Sequence, residues 1–580
     1  MKLRMFAHGV RSLAVLIMVA AAAGTGCAPA ARPASTVPAA TAPARVDART
    51  PKSGGIAKVA AYQEPNTLNL LLATQTITTV VAETMVEGLL AADPNGNYMP
   101  ALAREVPSLE NGGVSADGLT VTYRLREGVK WSDGQPFTAD DIVFTYQAIM
   151  DPSNPIQSRS GYEDMESVTA PDPFTVVVKY KRFFAPFLSR FMDGVHPILP
   201  KHVFQGNTAN IDKSPYNRAP VGTGPFRFVS WASGDNITLE RNPYYREPGK
   251  PYLDGLIFKI TPSREAAVQT IKTGEVDAIW DLGEALVPEF EKLADVDLEA
   301  VPGVAVERLV LNLSSPDGPN AGDPSTKHWA LSDKRVRQAI QLGIDKKTIA
   351  DKLLYGKTMV ATSVLSNGWF ALQAEPSEFS AASAKELLDQ AGWTPGSDGI
   401  REKDGRRLSL RYGTTSGNKL RELTQQVIQE QMRAIGIELQ IQNVPSAVLF
   451  GSWDDGAARK RGTFDILMWT SNPDVDPHQH VYGYFHSSQI PTEKNKGGFN
   501  YARFQDSETD RAIEEAGSTP DQEKRAAAYR RMAERVNQEL PHIVLYNRLD
   551  AQAYRKTLLG HVPNIWDEMT WNVQDWWLNQ

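Results

Sequence analysis

The sequence predicts an α/β fold, and three stretches of the chain indicate it. Residues 407–444 alternate strand-like and helix-like patterns within one short segment. Residues 119–150 join a strand-like pattern to a helix-like one, and residues 521–547 do so in the reverse order. Segments that alternate in this way pack as helices on the faces of a sheet. A chain of 580 residues is long enough for three or four average domains or for two large lobes.

The segment at 407–444 has the periodicities of a strand, a helix and a second strand. Apolar residues alternate in "RLSLRYGTT" and again in "IELQIQNV", the pattern of half-buried strands. Between them, "GNKLRELTQQVIQEQMRAIG" has apolar residues at helical spacing and ends on Gly436. The residues that carry these patterns are Leu408, Leu410, Tyr412, Leu420, Leu423, Val427, Ile435, Ile437, Leu439 and Ile441. Two strands joined by a helix form a βαβ unit, so this part is predicted to belong to an α/β lobe.

Residues 119–131, "LTVTYRLREGVKW", alternate apolar and polar side chains and predict a half-buried strand. The stretch "TADDIVFTYQAIMDP" then predicts a helix that begins after Thr138, because Asp141 stands three residues on, as in a capping box. Further along, "FRFVSW" and "NITLER" are joined by the turn "ASGD" and predict a hairpin. Short strands are also predicted at 258–260 and 276–280.

The N-terminus predicts an exported protein. "MKLRMFAHGVRS" carries three basic residues and precedes "LAVLIMVAAAAG", an apolar run of about a dozen residues. This run is shorter than the ~20 residues that span a bilayer. A basic flank before a short apolar run is typical of an export signal. We therefore predict a signal peptide over residues 1–26.

Cys27 follows directly and is the only cysteine in the sequence. A lone cysteine at the end of an export signal resembles a bacterial lipoprotein site, where the thiol receives a diacylglyceryl group and becomes the mature N-terminus. Gly26 fits that pattern, whereas Gly24 stands where an aliphatic residue is usual. Two or three acyl chains anchor a protein stably. Residues 27–53 are rich in Ala, Pro and Thr, so they predict a lipidated cysteine followed by a flexible tether.

Composition excludes several classes of function. The net charge of -7 argues against nucleic acid as a partner, because such a partner favours a basic face. Since Cys27 is the only cysteine, neither a disulfide nor thiolate catalysis is expected in the exported body. "LLYGKT" lacks a glycine that a phosphate-binding loop requires, because Asp351 stands in its place. Neither paired carboxylates nor a serine–histidine arrangement stands out by spacing. We predict no catalytic residue, no enzymatic activity and no cofactor.

One cluster of metal-ligand residue types follows Trp469. Its members are Asp474, Asp476, His478 and His480. In an extended chain these side chains point to one side, and imidazole with carboxylate suits zinc or nickel. Two prolines interrupt the segment and argue against a regular strand. We therefore predict no metal site and keep His478 and His480 only as weak candidates.

Six stretches of the chain, in a fixed order, share their motifs with one family. They are "LTVTYRLREGVKWSDGQPFTADDIVFTY" (119–146), "PVGTGPFRFVSW" with "LERNPYY" (220–231 and 239–245), "DKRVRQAIQLGIDKKTI" (333–349), "AKELLDQAGW" (384–393), "IPTEKNKGGFNYARF" (490–504) and "YRRMAERVNQELPHIVLY" (529–546). Together they resemble the family 5 extracellular solute-binding proteins, the dipeptide and oligopeptide receptors of ABC importers. The resemblance covers roughly residues 54–580.

The resemblance implies a two-lobed, periplasmic-binding-protein-like (Venus flytrap) fold with an extra subdomain inserted in lobe I. Two crossing segments join the lobes, and ligand binds in the cleft as the lobes hinge shut. The expected boundaries are 54–92, 220–315 and 530–580 for lobe I, 93–219 for the inserted subdomain and 316–529 for lobe II.

The resemblance also implies where a ligand binds. Peptide-binding members carry a Trp-x-x-Asp motif after a second-lobe strand, and its aspartate pairs with the N-terminus of the peptide. In "FDILMWTSN", Trp469 matches the tryptophan, but Asn472 stands at the aspartate. An amide accepts a hydrogen bond but does not neutralise an ammonium. Asp474, two residues on, is the candidate to take over that charge.

Three further residues complete the predicted ligand-binding set. Thr470 lies within the same motif. Tyr546, in the strand predicted to return to lobe I, is expected to meet ligand from the opposite side. Arg459, just before "GTFDILMW", is a candidate partner for a ligand carboxylate.

The export signal and the resemblance together imply an extracytoplasmic receptor that binds peptides and delivers them to the permease of an ABC importer. A separate ATPase subunit hydrolyses ATP. The chain is expected to be a monomer held by its lipid on the outer face of the cytoplasmic membrane, in the periplasm or at the cell surface. Two alternatives stay open: an oligosaccharide or metal chelate in the same cleft, and a secreted hydrolase on the same frame.

Overall fold

The computed structural model describes residues 50–73, 75–156, 159–194 and 196–579, except the side chain of residue 447. The predicted signal peptide, Cys27 and the tether up to residue 49 lie outside these ranges. No helix within them combines the length and the apolar composition needed to cross a membrane.

The chain up to residue 311 consists mainly of strands. In order, its elements are β1 (Ile56–Ala61), α1 (Thr76–Ala82), β2 (Leu90–Ala92), β3 (Tyr98–Pro100), β4 (Thr120–Arg124), α2 (Ala139–Met150), β5 (Met165–Asp172), β6 (Thr175–Tyr180), β7 (Phe226–Ala232), β8 (Asn236–Arg241), β9 (Gly255–Ile260), α3 (Arg264–Lys272), β10 (Ala278–Ile279), α4 (Val287–Phe290) and β11 (Val296–Leu311). The hairpin predicted from "FRFVSW" and "NITLER" is confirmed as β7 and β8. The short strands predicted at 258–260 and 276–280 lie in β9 and β10.

The rest of the chain is richer in helices. Its elements are α5 (Lys334–Leu342), α6 (Lys346–Leu353), α7 (Ala381–Gln390), β12 (Thr394–Pro395), β13 (Arg401–Lys403), β14 (Arg406–Arg407), β15 (Ser409–Gly413), α8 (Lys419–Ile435), β16 (Glu438–Ile441), α9 (Ser446–Leu449), α10 (Ala458–Arg461), β17 (Ile466–Ser471), α11 (His478–Phe485), α12 (Ser507–Ala516), α13 (Gln522–Glu539), β18 (His542–Arg555), β19 (Leu558–Leu559) and β20 (Trp577–Leu578). Single-turn 3₁₀ helices lie at Leu70–Leu72, Phe187–Ser189, Ile211–Lys213, Pro215–Asn217, Glu284–Leu286, Ser487–Gln489 and Val573–Asp575.

Ten strands form one mixed sheet in the order β16-β15-β17-β11-β18-β10-β1-β9-β8-β7. The antiparallel strands β11 and β18, of 16 and 14 residues, lie in its middle. Strands β15 to β17 flank them on one side, and β1 with β7 to β10 on the other. The two long strands therefore run from one half of the sheet into the other. They are the two crossing segments that the predicted α/β, two-lobed fold requires, whereas the residue boundaries of the lobes stay predictions.

The pairing of β11 with β18 is interrupted where the two halves of the sheet meet. Residues up to Pro302 pair in one register, and pairing resumes at Val306 in another. Proline has no N–H to donate to the ladder, which explains a break at this point. The side-chain amide of Asn547 donates to the carbonyl of Gly303 at 2.8 Å and closes part of the gap. The break leaves the connection between the halves without a continuous ladder.

A separate three-stranded sheet, β4-β6-β5, packs with α2 around a core that includes Trp131. Helix α2 begins with the predicted capping box of Thr138 and Asp141. The strand predicted over 119–131 is confirmed only for Thr120–Arg124. The remainder bends, because Gly128 adopts a φ of +76°, in the left-handed region.

The βαβ unit predicted at 407–444 is confirmed as β15, α8 and β16, with the two strands parallel. Gly436 ends α8 with a φ of +92°. The buried face of the helix lies one position away from the predicted one. Ile428 and Met432 are buried, whereas the predicted Val427 is only partly buried. The buried side of α8 therefore packs against the sheet, in the same core as Leu410 and Tyr412 of β15.

Both faces of the second half of the sheet are covered. One face packs against α5 to α8, and the other against α11 to α13. Neighbouring residues of a strand point to opposite faces. Each residue of β17 therefore faces one of two hydrophobic cores, and this decides the position of the predicted ligand-binding residues.

Candidate functional site

A cavity of about 360 Å³ opens where β17 ends and the halves of the sheet meet. It is lined from both halves: by the start of α1, by residues 189–194, by the break in β11, by the segment after β17 and by residues 565–568. Its lining residues include Thr76, Thr79, Arg190, Asp193, Val304, Asn472, Asp474, Trp566, Asp567 and Glu568. A concave site with several polar groups between two lobes is typical of a small-ligand site.

Two of the predicted ligand-binding residues line this cavity. Asn472 and Asp474 follow the last residue of β17, and both are exposed, whereas Pro473 between them is buried. Extended residues two apart point to the same side, so the amide and the carboxylate face one space. The structure thus brings together the residue at the motif position and its candidate replacement.

Trp469 lies elsewhere. Its side chain is 2% exposed and belongs to the core between the sheet and α11 to α13. The indole packs edge-on against Tyr501, with ring centroids 5.7 Å apart, and against Phe450 at 6.5 Å. It is not among the residues that line the 360 Å³ cavity. Its position favours a packing role beneath the site rather than contact with ligand.

Thr470 and Tyr546 face the opposite core. The Thr470 hydroxyl accepts a hydrogen bond from Arg421 Nη2 at 3.1 Å. Tyr546 is fully buried, and its hydroxyl lies 3.2 Å from the Thr424 hydroxyl. Arg421 in turn donates to the buried carboxylate of Glu307 at 3.0 Å. Neither residue lines the cavity, and both hold α8 against the sheet.

The guanidinium nitrogens of Arg459 donate hydrogen bonds to other groups of the protein. Its Nε donates to the carbonyl of Leu449 at 2.8 Å, and its Nη2 to that of Phe450 at 2.7 Å. Its remaining nitrogen donates to the Tyr501 hydroxyl. The guanidinium therefore fastens a loop to the core and has little left to offer a ligand carboxylate.

The histidine cluster does not assemble as a metal site. His478 is the first residue of α11, so His478 and His480 point in different directions, because successive helical residues turn by about 100°. His478 Nδ1 lies 3.2 Å from the Tyr529 hydroxyl, and His480 Nε2 lies 3.4 Å from Ser471 Oγ. Within the part of the chain that the structure describes, no group of three or more His, Cys, Asp or Glu side chains is arranged to hold a metal.

Asp476, the other acid of that cluster, is a structural residue. It is buried and forms a two-pronged pair with Arg525, with both N–O distances at 2.7 Å. It also accepts a hydrogen bond from the backbone N–H of His478 at 3.0 Å. Asp476 therefore fixes the start of α11, in contrast to Asp474 two residues earlier.

Three carboxylates from distant parts of the chain face Asp474 across the cavity: Asp193, Asp567 and Glu568. The side chain of Asp193 accepts a hydrogen bond from the backbone of Gly88. The Trp280 indole donates to Glu568 at 3.4 Å and stacks on Tyr62 with ring centroids 5.3 Å apart. These contacts orient the acids without neutralising them.

Removal from water raises the pKa of each of these acids. It raises the pKa of Glu568 to about 8, and the negative charges of Asp550 and Asp567 act in the same direction. Burial likewise raises the pKa of Asp193 well above its usual value, and the nearby carboxylate of Glu87 adds to the effect. The pKa of the Asp567 carboxyl is raised by the same loss of solvent. Their protonated forms are favoured as long as no cation enters.

Arg190 supplies the positive charge of the cavity wall. The residue is 7% exposed, and its Nη1 and Nη2 donate to the Ser160 carbonyl at 3.0 Å and to Ser189 Oγ at 3.1 Å. Its Nε is buried without a hydrogen-bond partner. Although Asp474 is exposed to the cavity, the surrounding walls remove part of the solvent near its carboxylate and raise its pKa, and the charge of Arg190 opposes that rise.

Comparison with known proteins places the chain. The family model of bacterial extracellular solute-binding proteins, family 5, matches residues 97–492. The chain belongs to this family. It is also 30% identical over 548 residues to the oligopeptide-binding protein AppA of Bacillus subtilis, covering 92% of this chain and 94% of AppA.

Two solved structures show the same fold. The structure of AppA in complex with a nonapeptide is 28% identical, covers 92% of this chain and 100% of AppA, and superposes with a TM-score of 0.66. NikZ from Campylobacter jejuni, in complex with Ni(L-His), is 26% identical, covers 90% of this chain and 99% of NikZ, and has a TM-score of 0.69. The predicted family and the two-lobed α/β fold are confirmed.

In this solute-binding protein, a second cavity of about 870 Å³ adjoins the first at Asp193. It is lined mainly by residues between 83 and 129 and between 225 and 248. Here Glu87 pairs with Arg246, and Glu247 pairs with Lys250 at 3.0 Å. The two cavities thus share one acid but differ in how their charges are balanced.

The sequence did not single out Arg190, Asp193, Asp567 or Glu568 of the solute-binding protein. They stand in "SRFMDG" and "NIWDEM", where charges beside apolar residues read as ordinary surface positions. The adjacent acids and aromatic residue of "WDE" are the only local signal, and it is weak. Their convergence on Asp474 depends on the tertiary fold.

Proposed function

We propose that this solute-binding protein is the receptor of an ABC importer for peptides, which it binds in the 360 Å³ cavity and passes to a permease. The observation that carries the proposal is the shared exposure of Asn472 and Asp474 to that cavity. Relatives named for oligopeptides and for di- and tripeptides support it. The protein acts by binding alone, without converting its ligand, and ATP is hydrolysed by a separate subunit.

Asp474 takes the role of the acid that peptide-binding relatives carry in the Trp-x-x-Asp motif. A peptide brings an ammonium into a site partly closed to water, and a buried charge without a partner costs several kcal/mol. Asn472 offers the ammonium an acceptor but no charge. Asp474, on the same side and without a hydrogen bond to another described side chain, offers both.

Closure completes the site by bending at the break in β11. Val304, in that break, lines the cavity, and the other lining residues come from both halves of the sheet. A change of angle at an interrupted ladder moves Asp474 relative to Asp567 while each lobe keeps its own core. Such hinge motion about a few residues is the usual mode of closure in binding proteins of two lobes.

The expected setting is outside the cytoplasm. An exported monomer is held at the outer face of the cytoplasmic membrane by a lipid on Cys27, with residues 27–53 as a tether. Metabolic labelling with a fatty acid, compared between the wild type and Cys27→Ser, tests the anchor. Label that persists in the variant contradicts it.

A metal chelate is the second candidate ligand, because NikZ, which has the same fold, was solved with Ni(L-His). His480 lies beneath the sheet and His478 contacts Tyr529, so neither lines the cavity. The acids of the cavity are then the groups that would meet such a ligand. Native mass spectrometry of freshly purified protein separates the two classes by the mass of the bound species.

Titration calorimetry with trialanine and N-acetyl-trialanine tests the proposed ammonium contact. We expect acetylation, which removes the charge, to weaken binding about 10–100-fold, on the order of the energy of one charged hydrogen-bonded pair. Asp474→Asn should weaken trialanine by a similar factor and leave the acetylated peptide unaffected. Equal binding of both peptides by the wild type contradicts the role of Asp474.

A further inference from the structure

The described wall of the cavity has more acidic than basic side chains. Asp193, Asp474, Asp567 and Glu568 line it, and Arg190 is the one basic side chain on its described wall. None of the four acids lies within 4 Å of a Lys, Arg or His nitrogen in the described ranges. If all five groups are ionised, the wall carries three net negative charges.

Three buried acids elsewhere in the described chain, Asp465, Asp476 and Glu307, each have an arginine partner. Asp465 pairs with Arg411 at 2.9 Å, and Asp476 pairs with Arg525 at 2.7 Å. Glu307 has Arg421 at 3.0 Å. Each of these carboxylates has its own guanidinium, as buried charges usually do. The four acids that line the cavity have no arginine partner of this kind among the described residues.

Arg190 is a second, independent sign of a missing partner. Its side chain is more than nine-tenths buried, it lines the cavity, and its Nε has no hydrogen-bond partner. The aromatic rings of Tyr162 and Phe184 lie 5.8 Å from its guanidinium carbon, so its surroundings are apolar on two sides. A guanidinium held in this way suits a carboxylate of the ligand.

The acids without a basic partner and the guanidinium of Arg190 line the same cavity. Asp474 comes from the second half of the sheet, Asp567 and Glu568 from the C-terminal segment of the first half, and Arg190 lies near Asp474. A ligand that satisfies them all carries more positive than negative charge. A neutral or acidic tripeptide leaves at least two of the acids without a counter-charge.

We infer that this receptor selects peptides with a basic side chain, in which a lysine or arginine faces Asp567 and Glu568, the N-terminal ammonium meets Asp474 and the carboxylate meets Arg190. The inference deepens the proposed function and rests on it. Desolvated acids gain most from a cation, because attraction between charges grows as water is excluded. The raised pKa values agree with it, since a cation that enters drives the protons off.

Titration calorimetry with Ala-Lys-Ala, Ala-Ala-Ala and Ala-Glu-Ala at pH 8 tests the selection. These peptides share their length and termini and differ by one charge. We expect Ala-Lys-Ala to bind about 10–100-fold more tightly than Ala-Ala-Ala, and Ala-Glu-Ala to bind most weakly. Repeating the titration in two buffers of different ionisation enthalpy should show protons released with Ala-Lys-Ala.

The double variant Asp567→Asn with Glu568→Gln should reduce the ratio of the affinities for Ala-Lys-Ala and Ala-Ala-Ala about tenfold or more. Glu240→Gln is the matched control, since it removes an exposed acid of β8, remote from the cavity. Equal binding of the three peptides by the wild type overturns the inference while the proposed function stands. An unchanged preference in the double variant overturns the assignment of the two acids.

If none of the three peptides binds, the proposed peptide ligand fails, and a titration with 1,5-diaminopentane decides the remaining question. Binding of this diamine that is lost in the double variant shows that the acids select cations without a peptide. No binding of the diamine overturns the inference as well. The two failures are therefore distinguishable.

Discussion

Two groups of charged residues lie close to the crossing strands, and they differ in one respect. In the hinge group, Glu307 contacts Arg421 and Arg548, and Arg548 also pairs with Glu284. In the cavity group, which consists of Asp193, Asp474, Asp567 and Glu568, the part of the chain that the structure describes supplies no such partner. A charge paired within the chain serves the fold, whereas a charge left unpaired at the edge of a cavity stores an unfavourable energy that a ligand relieves. Location alone does not separate the two roles, but pairing does.

The hinge group should show the larger effect on stability. Glu307 is fully buried, so Glu307→Gln leaves Arg421 without a carboxylate partner and leaves Arg548 with Glu284 alone. Breaking a buried pair by removing one partner costs about 3–5 kcal/mol. We expect the free energy of unfolding, measured by urea titration, to fall by about that amount.

The matched control is again Glu240→Gln, whose partner Arg227 lies 2.7 Å away on an exposed surface. Exposed pairs contribute roughly 0–1 kcal/mol, so this variant should unfold almost as the wild type does. A Glu307→Gln protein that is as stable as the control would show that pairing in the hinge group has no structural role.

Local patterns predicted the elements far better than they predicted the site. The β15–α8–β16 unit follows from the periodicity of adjacent residues, and Thr138 from a cap signal of four residues. Trp469 was misplaced because both faces of β17 are buried. A strand of that kind does not reveal in sequence which face a residue takes. The cavity acids were missed because they meet only after distant segments fold together.

The cavity group should respond to pH in the opposite sense from ordinary paired acids. The pKa of Glu568 is about 8 in the folded chain, above its usual value of 4.5. Asp281, Asp550 and Asp567 are the charges that act on it. A carboxyl with a raised pKa binds more protons when folded, so the free energy of unfolding decreases as pH rises between those two values. One proton corresponds to about 1.4 kcal/mol per pH unit.

Glu568→Gln removes this decrease in the free energy of unfolding, because the amide does not titrate. Without ligand, we expect the variant to match the wild type near pH 5 and to exceed its unfolding free energy by about 3–5 kcal/mol near pH 9, because the two pKa values differ by about 3.5 units. Thermal or urea unfolding at several pH values measures the difference. A variant less stable than the wild type at pH 9 would mean that Glu568 has a favourable partner in the free protein.

Asn472→Asp gives the smallest expected effect and connects the two groups. It restores the acid of the motif, but it adds a fifth carboxylate to a cavity that has one basic residue. We expect the unfolding free energy without ligand to fall by less than about 1 kcal/mol at pH 8, since Asn472 is exposed. We expect affinity for Ala-Lys-Ala to rise about threefold.

Asn66→Asp is the control, because Asn66 is exposed and does not line either cavity. If Asn472→Asp lowers the affinity for Ala-Lys-Ala, a further negative charge opposes binding, and the cavity does not select cations. If Asn472→Asp increases the affinity for Ala-Lys-Ala and Asn66→Asp does not, the unpaired acids act together on the ligand. The same substitution then explains the amide at position 472: an acid there adds repulsion to the empty cavity, while Asp474 already supplies the charge that holds the ammonium.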